Sequence, residues 1–158
     1  MAILRKKSSI TLPNISEDFI ARVANGSHHD PHSLLGIHPL EKGWVVRTLK
    51  PLAKSVSVVI DDNEPIQLEH LSHGIWQGFV ASKKLPDYRI SAKYEGDGDE
   101  IEWRVDDPYR HLPTIGELDL HLISEGRHEE LWLALGSHVT TIQGASSSST
   151  GTKFAVWA

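Results

Sequence analysis

Between residues 43 and 105 the chain contains a series of short runs rich in valine, isoleucine, tryptophan and tyrosine: WVVRTL, SVSVVI, PIQLEHL, GIWQGFV, DYRISAKY and EIEWRV. Turn-forming residues separate them: Lys50-Pro51, Asp61-Asp62-Asn63, His73-Gly74, Leu85-Pro86-Asp87 and Gly96-Asp97-Gly98. No helix-length segment lies between them. Strands this short and this close can bury their apolar sides only by pairing antiparallel and stacking as two sheets. The fold class that follows is all-β, an immunoglobulin-like antiparallel β-sandwich with short flanking helices. Its core takes alternate residues, such as Val56, Val58 and Ile60, or Tyr88, Ile90, Ala92 and Tyr94. GDGDE, residues 96–100, has neither the length nor the ligand spacing of a calcium loop and reads as a hairpin turn.

Helical patterning flanks this block. In SEDFIARVANG, residues 16–26, Ser16 suits an N-cap, and Glu17 and Asp18 suit the positive end of a helix dipole. Phe19, Ile20 and Val23 share a face, and Gly26 can take the left-handed turn that ends the helix. Asp30-Pro31 starts a further helical turn, which Gly36 can close. After residue 112 the helical period returns in GELDLHLISEG and in HEELWLALG, which ends at Gly136. TTIQGASSSSTG reads as a flexible connection, and GTKFAVWA as the start of a strand. The expected organisation is a disordered tail at 1–15, a helix and sandwich at 16–112, connector helices at 113–140, and a Ser-rich linker with the truncated first strand of a second sandwich at 141–158.

A repeat ties the two ends together. GSHHDPHSLLGIH, residues 26–38, and GRHEELWLALGSH, residues 126–138, both read G-x-H-x6-L-G-x-H. Gly26, His28, Leu35, Gly36 and His38 recur at one offset as Gly126, His128, Leu135, Gly136 and His138. The preceding segments match at the same offset: Glu17 with Glu117, Ile20 with Leu120, Val23 with Ile123. Matches in register, flanked by matching helices, indicate a repeated structural unit. The first copy leads into GWVVRTLKP and the second into GTKFAVWA. On this reading the chain holds one whole unit and the opening of another, and belongs to a longer polypeptide.

GSHHDPHSLLGIHP, DDPYRHLPTIGELDLHLISEGRHEELWLALGSH and GTKFAVWA together resemble the N-terminal region of bacterial 1,4-α-glucan (glycogen) branching enzymes, from about residue 16 onward. The resemblance implies a non-catalytic first sandwich, followed in the whole protein by a second sandwich and a catalytic (β/α)8 barrel. It implies a glycosyltransferase that moves an α-1,4 glucan segment to a 6-hydroxyl. That is retaining chemistry run by two carboxylates at the ends of barrel strands. No barrel fits here and none of the family's catalytic motifs is present, so no catalytic residue is assigned. The implied partners are an α-1,4-glucan of glycogen type and the rest of the polypeptide; no cofactor is called for.

Other residues invite site assignments. Asp61-Asp62 and Asp106-Asp107 sit at turns and read as turn chemistry rather than paired catalytic acids. His28, His29, His32 and His38 are clustered, but without the convergent carboxylate or thiolate that a metal usually takes. Only His28 and His38 recur in the second copy, which favours hydrogen bonds to nearby backbone over metal ligation; no metal site is assigned. Tryptophan can pack or can present a flat face to a sugar ring. Packing is the default, and Trp76 shares a strand face with Val80, while Trp132 lies between Leu131 and Leu133. Trp44 and Trp103 are flanked by Glu41, Lys42, Glu102 and Arg104, and are the glucan-binding candidates.

The remaining constraints are exclusions. A net charge of −5 argues against nucleic acid as a partner. The chain has no cysteine, hence no disulfide and no thiolate metal site. MAILRKKSSITLPN lacks the apolar stretch of a secretory leader, and no run approaches a membrane span. Cytoplasmic localisation and no membrane partner are expected. Two rival readings are a stand-alone α-glucan-binding module and a structural spacer without a catalytic partner.

Overall fold

A computed structural model describes residues 12–61, 63–96, 99–143 and 148–157. The expectations placed on the tail up to residue 11, on Asp62, on Asp97-Gly98 and on 144–147 fall outside the described residues. The chain divides into two units, Met1–Arg110 and His111–Ala158.

The first unit opens with helix α1 (Glu17–Ala24). Ser16 caps it, its hydroxyl accepting from the Phe19 N–H at 3.4 Å, and Gly26 follows with a φ of 77°. A 3-10 turn at Pro31–Ser33 carries Pro31 at its start. Eight strands follow: β1 (Gly36–Leu40), β2 (Gly43–Leu49), β3 (Ser55–Ile60), β4 (Ile66–Gln67), β5 (Glu69–His70), β6 (Ile75–Val80), β7 (Tyr88–Glu95) and β8 (Glu100–Val105). A second 3-10 turn at Pro108–Arg110 closes the unit. The strands form two four-stranded sheets, β1-β2-β6-β5 and β4-β3-β7-β8, in which every pairing is antiparallel.

Two details depart from the sequence reading. PIQLEHL is not one strand. It breaks at Leu68, so that β4 pairs with β3 in one sheet and β5 with β6 in the other. Leu68 anchors the crossing: its N–H donates to the Val56 carbonyl at 2.8 Å and its side chain joins the core. Strand β1 precedes the block at 43–105 from which the sequence reading takes its strands, and it contains Pro39. It lies on the edge of its sheet, where a missing N–H breaks no ladder bond.

The core between the sheets contains Val46, Val56, Val58, Leu68, Trp76, Val80, Tyr88, Ile90 and Ala92, with Trp44, Ile60 and Tyr94 packed partly buried against it. The expected alternation in β3 and β7 is therefore present. A second cluster covers the opposite face of the first sheet. There Ile20 and Val23 of α1 meet Leu34, Leu35 and Ile75. Leu49 and Ile75 are cross-strand partners, so the residues of β2 alternate between the two cores: Val46 toward the sandwich, Val45, Arg47 and Leu49 toward α1.

The second unit holds helices α2 (Glu117–Ser124) and α3 (Leu131–Ala134) and an antiparallel hairpin, β9 (Gly136–Gln143) with β10 (Ser148–Ala155). Helix α3 is shorter than HEELWLALG suggests, since Glu129 and Glu130 precede it. The stretch expected to be flexible, from Thr140 to Gly151, is largely strand. Cross-strand pairing organises it, with Thr141 and Thr150 hydroxyls 2.9 Å apart.

The repeat is structural as well as sequential. Gly36 and Gly136 have φ of 94° and 93°, and each starts a strand. Gly36 opposes Arg47 and His38 opposes Val45; Gly136 opposes Ala155 and His138 opposes Lys153. Both hairpins therefore run in one register, with Gly43 and Gly151 in equivalent places.

Candidate functional site

The repeated histidines are structural. The His38 Nε2–H donates to the carbonyls of Leu34 and Leu35 at 3.1 and 3.2 Å. The His138 Nε2–H donates to the Leu135 carbonyl at 2.8 Å. Each imidazole ties the end of a helical turn to the strand that follows. His28 and His128 serve the helix before it, in different ways. His28 accepts at Nδ1 from the Asp30 N–H at 3.1 Å and meets the Phe19 ring edge-on at 4.8 Å. Asp119 stands where the first copy has Phe19, and the His128 Nε2–H donates to it at 2.9 Å. That bond is the first cause of a lowered Asp119 pKa, with the Gly116 N–H adding to it. His29 stacks on His28 and His32 meets Tyr109 edge-on. Among the described residues no group of three His, Asp or Glu is placed to hold a metal.

Asp107 is more than a turn residue. It is fully buried, where its carboxylate accepts from the Tyr88 hydroxyl at 2.8 Å and from the Tyr109 N–H at 3.2 Å. Burial pushes its pKa up, and the two hydrogen bonds offset that in part. Asp106 lies outside, paired with Arg110 at 3.0 Å. Two adjacent acids that face different environments brace the end of β8 onto β7. They do not converge on a space where a substrate could sit, as a carboxylate pair in glycoside chemistry must.

The candidate sugar-contact residues lie on different sheets. Trp44 is the second residue of β2, and its ring is partly buried against the sandwich core. It offers less open face than its charged neighbours in sequence suggest. Trp103 sits on β8, the edge of the second sheet, and is 61% exposed. Opposite it is Ala92, and opposite Ile101 is Tyr94. Trp103 and Tyr94 are thus diagonal neighbours on the sheet face that turns Ala92 and Tyr94 toward the core. Ala92 is buried in the sandwich core, and Trp103, one strand further out on the edge, lies beyond that cover. On the other face of β8 the charges are spent locally: Ser91 donates to Glu102, and Lys93 pairs with Glu100 at 3.5 Å. Among the described residues no ring contact joins Trp44 to Trp103.

The other tryptophans divide. Trp76 packs as expected, with its indole N–H donating to the Lys50 carbonyl at 3.2 Å. Trp132 does not: it is 65% exposed, because α3 is a single turn and its apolar LWLA sequence cannot all face inward. An alternating or helical period shows which side a residue takes, but not whether an element reaches far enough to cover it.

The family described as alpha-1,4-glucan branching enzyme GlgB, N-terminal domain, matches residues 16–109. Among curated proteins, the 1,4-alpha-glucan branching enzyme GlgB of Thermobifida fusca is 51% identical over 133 residues, covering 84% of this chain and 17% of that protein. The enzyme of the same name from Leifsonia xyli is 49% identical over 154 residues, covering 93% of this chain and 20% of that protein. That from Rhodococcus jostii is 47% identical over 136 residues, covering 86% and 18%. The chain thus spans about a fifth of the length of these relatives.

Proposed function

The chain belongs to the family of alpha-1,4-glucan branching enzyme N-terminal domains, and from that premise we propose that it is the non-catalytic N-terminal part of a branching enzyme. The whole enzyme transfers an α-1,4-glucan segment to a 6-hydroxyl, making α-1,6 branches. This part carries no catalytic residue. Its role is to extend the surface over which a long glucan is handled before and after the chemistry. The observation that carries this reading is Trp103, an exposed indole on a sheet edge with Tyr94 beside it. A flat apolar face with a phenolic hydroxyl nearby suits a sugar ring, which is apolar on its faces and polar at its rim. Trp44 contributes at most an edge, being partly covered.

The repeat supports the domain organisation. Because β9 and β10 reproduce the register of β1 and β2, we read them as the opening hairpin of a second sandwich, with α2 and α3 as the connector. Partners are then the remainder of the polypeptide and a glycogen-type glucan. Among the described residues no helix is long and apolar enough to cross a membrane, and a cysteine-free chain suits the cytoplasm.

Affinity electrophoresis through a glycogen-containing gel tests the site. The chain should be retarded, and Trp103→Ala should abolish the retardation while leaving the circular dichroism unchanged. Mobility indifferent to glycogen would overturn the binding role in favour of a spacer. In the full enzyme, removal of residues 1–112 should shift the distribution of branch lengths while branching persists. An unchanged distribution would refute a role in chain handling.

A further inference from the structure

A cavity of about 340 Å³ lies under the outer face of the first sheet, between β1 and β2 on one side and the segment leading into α1 on the other. Val45 and Arg47 line it from β2, His38 from β1, and Asn14, Ser16 and Phe19 from the facing segment. Arg47 is the unusual member. It is 6% exposed, in a position that alternation in β2 turns away from the sandwich core. Its Nε–H donates to the neutral Gln77 side chain at 3.4 Å. Its two Nη groups have no partner among the described residues.

A buried cation normally has a carboxylate beside it, because desolvation costs several kcal/mol that only an opposite charge offsets. Here the nearby acids are committed elsewhere. Glu17 accepts from the Ser72 hydroxyl at 3.0 Å and pairs with His73 at 3.1 Å. Asp18 pairs with Arg22 at 3.0 Å. Burial pulls the Arg47 pKa down, but a guanidinium remains protonated at neutral pH. The result is a guanidinium with no carboxylate beside it among the described residues, its Nη groups unpartnered there and open to the cavity. A neutral glucan could not supply the missing charge, so the cavity is distinct from the sugar-contact surface at Trp103.

We propose that this cavity binds a small organic oxyanion, a carboxylate or phosphate monoester on a body the size of one sugar, held bidentately by the Nη groups of Arg47. The guanidinium fork matches two oxygens of either head group. The volume is near the lower bound, about 300 Å³, of pockets that take organic ligands, and is larger than a bare ion requires. Phe19 and Val45 give the body apolar walls, and Asn14 and Ser16 give it polar atoms at the rim. His38 also lines the cavity; its Nε2–H is held by the Leu34 and Leu35 carbonyls, which leaves Nδ1 able to accept a ligand hydroxyl.

The test is titration of the purified chain, followed by amide chemical shifts and calorimetry, with glucose 6-phosphate, glucuronate, inorganic phosphate and glucose at fixed ionic strength. Glucose 6-phosphate or glucuronate should bind saturably and shift the amides of His38, Val45 and Arg47, and the comparison of the two identifies the head group. Glucose should leave those amides in place. Arg47→Gln should weaken binding by about tenfold or more, and Arg47→Lys should retain part of it. Leu40→Trp, which fills the cavity from its rim and keeps Arg47, should also weaken binding. It provides the reading should Arg47→Gln fail to fold. The proposal is overturned if neither sugar acid binds saturably, if inorganic phosphate binds as tightly as both, or if Leu40→Trp binds as tightly as the parent chain.

Discussion

The phenol of Tyr88 donates to the Asp107 carboxylate at 2.8 Å, with the two side chains 1% and 0% exposed. Both groups have raised pKa values, chiefly through burial. The folded carboxyl therefore holds its proton more tightly than the unfolded one. Its contribution to stability is greatest below the ordinary value of 3.8 and declines as pH rises through the raised folded value. A further decline is expected above about pH 10, where the unfolded tyrosine ionises and the folded one does not. Tyr88→Phe leaves a buried carboxylate short of a donor and should cost about 1–3 kcal/mol at neutral pH. Asp107→Asn should flatten the acid-side decline. Urea denaturation from pH 3 to 11 measures both.

Asp87 should behave with the opposite sign. Burial works to raise its pKa, but the guanidinium groups of Arg89 and Arg110 outweigh burial and hold it below the ordinary range, each 2.7 Å away. Its contribution is present above the ordinary carboxylate value and is lost as pH falls through the lowered folded value. Arg110→Met removes one of these cations and a donor to the Tyr88 carbonyl. It should destabilise by about 3 kcal/mol at pH 7 and by less at pH 2. Equal losses at both pH values would contradict this assignment.

The two copies of the repeat provide a matched glycine experiment. Gly36 and Gly136 share one left-handed conformation, which an alanine adopts at a cost of about 1–2 kcal/mol. At Gly36 an added Cβ would also collide with the Tyr109 carbonyl. At Gly136 it would meet nothing within 4 Å. Gly36→Ala should therefore cost clearly more than Gly136→Ala, and chemical denaturation of the two variants gives the difference directly.

Trp76 and Trp103 should separate stability from function. Trp76→Ala opens a hole in the sandwich core and loses an indole hydrogen bond, for about 3–5 kcal/mol. Trp103→Ala removes a side chain that is mostly in water, so its midpoint in urea should move little. A large shift for Trp103→Ala would mean that the indole is a packing residue after all.

Much of this was legible in the residues. Alternation in β3 and β7 identified Val56, Val58, Tyr88 and Ile90 as core, since an inward position in a two-sheet stack leaves no alternative. The spacing G-x-H-x6-L-G-x-H identified a unit that recurs with its glycine conformation and its histidine–carbonyl bonds. The crossing at Leu68 was hidden, because which sheet a strand joins is settled by non-local pairing. Asp107 looked like any turn acid; its burial depends on Tyr88, nineteen residues earlier in the chain. Arg47 was invisible as a site for a related reason. Its charge suggests solvent, and only the helix laid over its sheet face encloses it.

The shared register of β1–β2 and β9–β10 has a consequence for folding. Strand β6 needs a neighbour on the edge opposite β5, and the chain makes two hairpins whose backbones could present themselves there. Proximity favours the first, since β2 is nearer to β6 along the chain and closes a shorter loop. Side chains then discriminate: β2 brings Val46 and Arg47 where β10 brings Phe154 and Ala155. At high concentration that kinetic advantage fades, because a hairpin from another molecule arrives without any loop to close. The duplication that gives the chain its architecture thus leaves open a route to strand exchange between molecules, guarded by a few side chains rather than by the backbone.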